Sequence, residues 1–341
     1  MTKLERTLSA LNMNTPDRVP VSPLAHYYNA ALINKTIREF ATDGEIMAAA
    51  SLAAVERFGW DFITLGCDVA VEASGVGAEM KYEDHAPPHV ARPLLDNTAA
   101  LKNLKVPNPL KDGRMPVVVK AVERCRREIG DSVFIGVFTN DPMNQSSQLR
   151  GVQNFMLDTY DNPSFVEELL DFSTEVVIEF GKALIDAGAH AILFGAALCS
   201  PNMISPAFYR EKIIPRQQRQ IEVLRQHGGE RFLMHICGDV TPIIQDIAGL
   251  GCDMIDLDWQ VDMAKAKETL DGKASVRGNL DPAFLYNARP DEVYAKSCDL
   301  ITSMGTNGGF ILGSGCDVMP GTPAENLDAM MQAANDRAFM A

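Results

Sequence analysis

The stretch RFLMHICGDVTPIIQDIAGLGCDMIDLDW, residues 231–259, carries the pattern that decides the fold. Residues 231–236 form a short, nearly continuous apolar run, the signature of a strand buried on both faces. Thr241-Pro242 sets a capping residue before a first-turn proline, so a helix starts there. The glycine-containing IAGLGCD (247–253) stops that helix, and a second apolar run occupies 253–259. Strand, helix and strand in so short a span make a βαβ unit with parallel strands.

Outward from this unit the same alternation continues. Strand-like runs lie at 19–24, 61–67, 133–139, 189–195, 274–278 and 309–313, which with the first two makes eight. Helix starts recur at Asn162-Pro163, Ser205-Pro206, Asp281-Pro282 and Thr322-Pro323, and Thr322 with Glu325 fits a capping box. The stop DAGAH (186–190) precedes the fourth run. Eight βα units predict an α/β chain folded as a (β/α)8 TIM barrel, one domain over residues 1–341. A doubly wound open sheet is the alternative, since strand order is not written in the pattern. Neither a glycine-rich dinucleotide fingerprint nor a Walker loop follows any run. Residues 79–116, rich in proline and polar side chains, read as a long insertion after the second strand that partly covers the barrel mouth.

Composition narrows the partners. The 341 residues carry a net charge of −14, which repels phosphate backbones and argues against nucleic acid. The first thirteen residues are amphipathic rather than a signal peptide, and no apolar run reaches membrane-spanning length, so a cytoplasmic protein with no membrane role is expected. Seven cysteines, odd in number and irregular in spacing, argue against a disulfide framework.

Two cysteines stand out by context. In FLMHICGDVTP (232–242), His235 and Cys237 are two apart at a strand end, so both side chains face one side. In a barrel that end is the active-site rim. In FILGSGCDVMPGTPAEN (310–326), Cys316 follows the last strand in a glycine-rich turn that lets the thiol point inward. His235, Cys237 and Cys316 are candidate metal ligands, and three ligands with an open fourth position is the catalytic zinc pattern. The plainer alternatives are a chance His-x-Cys and a small buried thiol.

These residues and their neighbours resemble the uroporphyrinogen decarboxylase superfamily. DLDWQVDMAKAKETLDGKASVRGNLDP (256–282) is similar to its LDW strand and GNLDP turn. SPAFYREKIIP (205–215) resembles its Ser-Pro helix start, and TPDRVPVSP (15–23) its N-terminal segment. The resemblance covers nearly the whole chain and implies a (β/α)8 barrel. The decarboxylases themselves, which use no cofactor, fit less well. Their arginine-rich N-terminal stretch is matched here by SPLAHYYNA (22–30), without arginine, and Ser314 stands at the histidine of their final Gly-His-Gly. Asp68 corresponds to the decarboxylase aspartate.

The better match is the corrinoid-dependent methyltransferase branch, which resembles methylcobamide:coenzyme M methyltransferases. That resemblance implies Zn2+ on His235, Cys237 and Cys316, and a methyl group moving between a corrinoid (methylcobamide) protein and a small donor or acceptor. A thiol activated as a zinc thiolate is the favoured acceptor. No corrinoid-binding signature is present, so a partner protein supplies the corrinoid. A second copy of the chain is kept as a candidate partner. A cofactor-free decarboxylase and a non-catalytic module binding the corrinoid protein or a metal are the rival functions.

Further candidates sit beside predicted strand ends. Asp68 and Glu72 are read as substrate contacts, with Glu72 also a candidate fourth ligand; the alternative is a solvated loop. Asn140 is a candidate for lining the pocket. Asp239 either orients a ligand or caps the helix near Thr241. Asp258 is read as a site or fold residue of the LDW strand. His26, Tyr27 and Tyr28 are candidate substrate contacts or rim packing. Cys67 and Cys199 are read as ordinary buried thiols.

Overall fold

The strand residues divide by parity into two cores. Phe62, Phe134, Leu193, Leu233, Met254 and Ile311 pack together in one cluster, while Ile63, Ile135, Ile192, Phe232, Ile255 and Leu312 join the larger one under the helices. Side chains alternate along a strand, so the first set fills the inside of a closed sheet and the second faces the helical layer. Ala10 and Leu11, from the helix Lys3–Leu11, join the inner cluster and plug one end.

The computed structural model describes residues 1–66, 68–270, 272–305 and 307–337; Cys67 lies outside them. The strands are β1 (Phe62–Leu65), β2 (Glu79–Lys81), β3 (His89–Arg92), β4 (Phe134–Asn140), β5 (Ala191–Gly195), β6 (Arg231–Ile236), β7 (Met254–Leu257), β8 (Ser275–Leu280) and β9 (Phe310–Ser314). Seven of them form a parallel sheet in the order β1-β4-β5-β6-β7-β8-β9, with helices such as Pro163–Asp186 and Ile214–Gln226 between neighbours. Val21 closes the ring as a parallel bridge to Leu312 of β9, and its carbonyl accepts the Asp61 N–H beside β1. The α/β barrel is therefore as expected, and the open sheet is excluded.

Residues 19–24, expected as the first strand, form only that bridge. Pro20 and Pro23 flank it, and neither has an N–H to give to a ladder. Side chains take over: Asp61 accepts the Val21 N–H at 2.9 Å, and Ser314 Oγ accepts the Leu24 N–H at 3.0 Å. Arg6 and Arg18 pair with the same Asp61, each at 2.7 Å. The helix starts at Ser205 and Asp281 are capped as expected. The Thr322–Glu325 capping box is absent, because the Thr322 hydroxyl donates back to the Met319 carbonyl at 2.8 Å and the helix begins at Ala324. Within residues 79–116, β2 and β3 form a separate antiparallel pair and Thr98–Asn103 a 3-10 turn.

Across the middle of the barrel lies a buried ion pair. Arg277 of β8 holds Asp256 of β7 with two donors, and its third donor reaches Ser22 Oγ at 2.9 Å and Thr64 Oγ1 at 3.2 Å. The guanidinium also stacks 4.5 Å from the centre of the Phe62 ring. The interior thus rises from an apolar floor through this pair to the polar rim.

Candidate metal centre

Leu233, His235 and Cys237 share one parity, and Leu233 belongs to the inner cluster. The two last members therefore point into the barrel as β6 ends. Cys316 arrives just past β9. The ligand atoms of His235, Cys237 and Cys316 all lie within 4.8 Å of one another, and Cys237 Sγ is 3.4 Å from His235 Nε2. Two glycines make this approach feasible. Gly238 holds a left-handed turn (φ +83°) where a Cβ would stand 2.9 Å from Ser200 Oγ, and a Cβ on Gly315 would stand 2.5 Å from the Trp259 backbone nitrogen.

The cluster opens into a cavity of about 190 Å³ at the strand C-terminal ends. Its walls are chiefly apolar, with Leu24, Val69, Phe138 and Leu193 prominent, and its polar members are His26, Asp68, Asn144 and Asp317. Asp68 is not free to move. Arg114 grips it with two donors at 2.6 and 2.7 Å, and Tyr27 donates to it at 2.9 Å.

The other predicted residues take supporting places. Asp258 is buried and accepts the Gly238 N–H at 2.9 Å and the Gln260 N–H at 3.0 Å, which pins the turn after Cys237. Glu72 is buried and accepts from the Thr139 hydroxyl at 2.8 Å and from the Asn140 N–H and side-chain amide at 2.7 and 2.9 Å. Glu72 and Asn140 thus tie the end of β4 to the helix Val71–Val76, and neither joins the ligand cluster. Asp239 is exposed and accepts the Thr241 N–H at 2.9 Å, its capping alternative. Cys199 is buried against Asp141 at 3.0 Å. The reading of the sequence did not find Arg114, Asp317, Phe138 or Asn144. Asp317 could have been flagged as the neighbour of Cys316; Arg114 sits in a proline-rich stretch with no period to place it.

Proton sharing inside the cluster is uneven. The hydrogen bond from Cys237 draws the Cys316 thiol down to about 4 against the cost of burial, with His235 adding to the effect. The same contact, then burial, pushes Cys237 far up. Burial opposes a charged His235, yet the Cys316 hydrogen bond and charge raise it overall. One imidazole and two convergent thiols, largely withdrawn from water, are the donor set of a borderline-soft dication such as zinc. One departure from the usual pattern is His235 Nδ1, which has no hydrogen-bond partner among the described residues.

Over residues 2–337 the sequence matches the family of uroporphyrinogen decarboxylase (URO-D). The chain belongs to the URO-D family. Within that family it is similar to the methylcobamide:CoM methyltransferase MtaA of Methanosarcina barkeri, 28% identical over 97% of both chains. It is also similar to the uroporphyrinogen decarboxylase of Azoarcus sp., 25% identical over 84% of this chain and 80% of that one. Among solved structures, a methyltransferase from Methanosarcina mazei superposes with a TM-score of 0.89 at 28% identity, covering 98% of this chain and 99% of the other. This URO-D family chain therefore shares its barrel with a known methyltransferase over 98% of its length.

Proposed function

We propose that this chain is a zinc-dependent methyltransferase that moves a methyl group from a corrinoid carried on a partner protein to a small thiol. The observation that carries the reading is the convergence of His235, Cys237 and Cys316 at the cavity floor, with no fourth protein ligand in the cluster among the described residues. His235, Cys237 and Cys316 would hold the zinc, which supplies an open position where a thiol loses its proton at neutral pH. The similarity to a methylcobamide:CoM methyltransferase across nearly both whole chains supports the same assignment.

The chain's own residues do the rest. Asp258 fixes the turn that aims Cys237, and Phe138, Leu193 and Leu24 keep water from the reacting sulfur. A methylated corrinoid on the partner protein would supply the methyl carbon, which would bond to the sulfur as the carbon–cobalt bond breaks with its electron pair left on cobalt. The cavity suits a small acceptor, since drug-sized ligands need about 300 Å³ or more. A porphyrinogen is far larger and bears many carboxylates, whereas Arg114, which holds the cavity-lining Asp68, is already committed to that carboxylate.

The deciding experiment is zinc content of the purified chain beside His235→Ala and Cys316→Ser, followed by thiol methylation from methylcobalamin. About one zinc per chain, lost in both variants, with activity lost in parallel, supports the proposal. A wild-type chain that takes up no zinc under reducing conditions overturns it. In that case a decarboxylase centred on Asp68, indifferent to Cys316, becomes the leading reading.

A further inference from the structure

His26 follows the Val21 bridge and lines the cavity that the three candidate ligands floor. It is only 8% exposed. Asp317, the residue after Cys316, holds it twice: one carboxylate oxygen accepts the His26 backbone N–H at 3.1 Å and lies 3.2 Å from ring Nδ1. A carboxylate only accepts, so a proton on Nδ1 faces Asp317 and leaves Nε2 as the nitrogen with the lone pair. Nε2 is buried and has no partner among the described residues. The edge of Phe138 stands against the ring, with centroids 6.1 Å apart.

Other polar groups of the cavity wall are engaged. Asn144 donates to the Gly195 carbonyl at 2.8 Å and accepts the Leu198 N–H at 3.0 Å, and Asp68 is held by Arg114 and Tyr27. Among the described side chains that line this cavity away from the ligand cluster, His26 Nε2 is the buried polar atom without a hydrogen-bond partner. It stands outside the set of atoms within 4.8 Å, so it is not a fourth ligand in this geometry. The Asp317 carboxylate beside the ring favours a proton there, while the charge of Asp68 is already matched by Arg114.

We infer that His26 is the base that takes the proton of the incoming thiol, with Asp317 as its positioning residue; this rests on the thiol-acceptor reading above. An alkyl thiol is mostly protonated at neutral pH and must shed that proton to become a nucleophile. The S–H bond breaks with its electrons left on sulfur, and the proton forms an N–H bond at His26 Nε2. The resulting imidazolium lies against the Asp317 carboxylate, which balances its charge. Cys237 and Cys316 cannot take this role while they serve as thiolate ligands.

The test uses the zinc-loaded full chain, wild type beside His26→Gln and Asp317→Asn. With histidine ring nitrogens labelled, addition of 2-mercaptoethanol should move the His26 signals from neutral to imidazolium positions in the NMR spectrum. In methyl transfer from methylcobalamin, His26→Gln should lose about 100-fold or more with 2-mercaptoethanol. With thiophenol, an acidic thiol that arrives largely ionised, the loss should be far smaller. A ring that stays neutral with thiol bound, or an equal loss with both thiols, overturns the assignment. A protonated ring in a wild-type chain that transfers no methyl group upholds the proton step and overturns the methyltransferase reading instead.

Discussion

Glu72 is a carboxylic acid sealed from water at the end of β4. Burial pushes it up to about 7, although the Asn140 N–H and Thr139 hydroxyl favour its anion. Its ordinary value is 4.5, so the folded chain holds this proton more tightly than the unfolded one. The stability it contributes is complete below pH 4.5 and is lost as pH rises through 7. Between pH 5 and pH 8 this amounts to roughly 2–3 kcal/mol. Glu72→Gln keeps the shape and removes the titration. Urea unfolding at the two pH values should therefore show the wild type losing that much more stability than the variant. Ser314 makes a different point at the same scale. Its hydroxyl accepts the Leu24 N–H, a main-chain task for a side chain at the end of β9.

At the scale of elements, the Arg277–Asp256 pair between β8 and β7 is the costly feature. Arg277 is fully buried and Asp256 nearly so, and removing one partner leaves an uncompensated charge. Arg277→Met should destabilise the chain by about 3–5 kcal/mol, while Arg277→Met with Asp256→Leu should recover most of the loss. A double-mutant cycle on urea midpoints reads the difference. This pair also marks the boundary of what the sequence made legible. The run at 231–236 coincides with β6, and six of the other expected strands fall within two residues of those observed, because short apolar runs bounded by turn signals suit strands buried on both faces. SVRGNL shows an arginine inside such a run, yet its partner depends on which strands become neighbours. His235 and Cys237 were legible as metal candidates because they are local in sequence, and Cys316 because a glycine-rich turn after a strand run marks it. Arg114 on Asp68 and Asp317 on His26 were not, since each joins elements far apart in the chain. Residues 19–24 were misread because their apolar content outweighed the prolines that remove the ladder donors.

For the whole molecule, the rim carries a group of exposed apolar side chains. Val69, Met203, Trp259, Tyr286 and Met319 all stand on segments that follow barrel strands. Trp259 is half exposed and packs by its backbone against Gly315, next to Cys316. In the proposed function a corrinoid protein must present its methyl group at this mouth, and such a ring offers it an apolar seat. Trp259→Asp and Met319→Asp should raise the KM for a methylated corrinoid protein by about tenfold, equivalent to about 1.4 kcal/mol. Zinc content and turnover of free methylcobalamin should stay within twofold, measured in parallel assays.

The single Val21 bridge has a consequence for how the barrel breathes. Elsewhere neighbouring strands are stitched by full ladders, while this seam is basted with one backbone bridge and a few side-chain knots at Asp61, Ser314 and Asp317. Residues 19–30 are nonetheless buried throughout, so parting this seam would expose apolar surface as well as break the bridge, and packing keeps it shut where the ladder is missing. Leu24 and His26 on one side, and the Ser314–Asp317 turn with Cys316 on the other, therefore rest on that packing and on three side chains, where the remaining seven strands rest on their register.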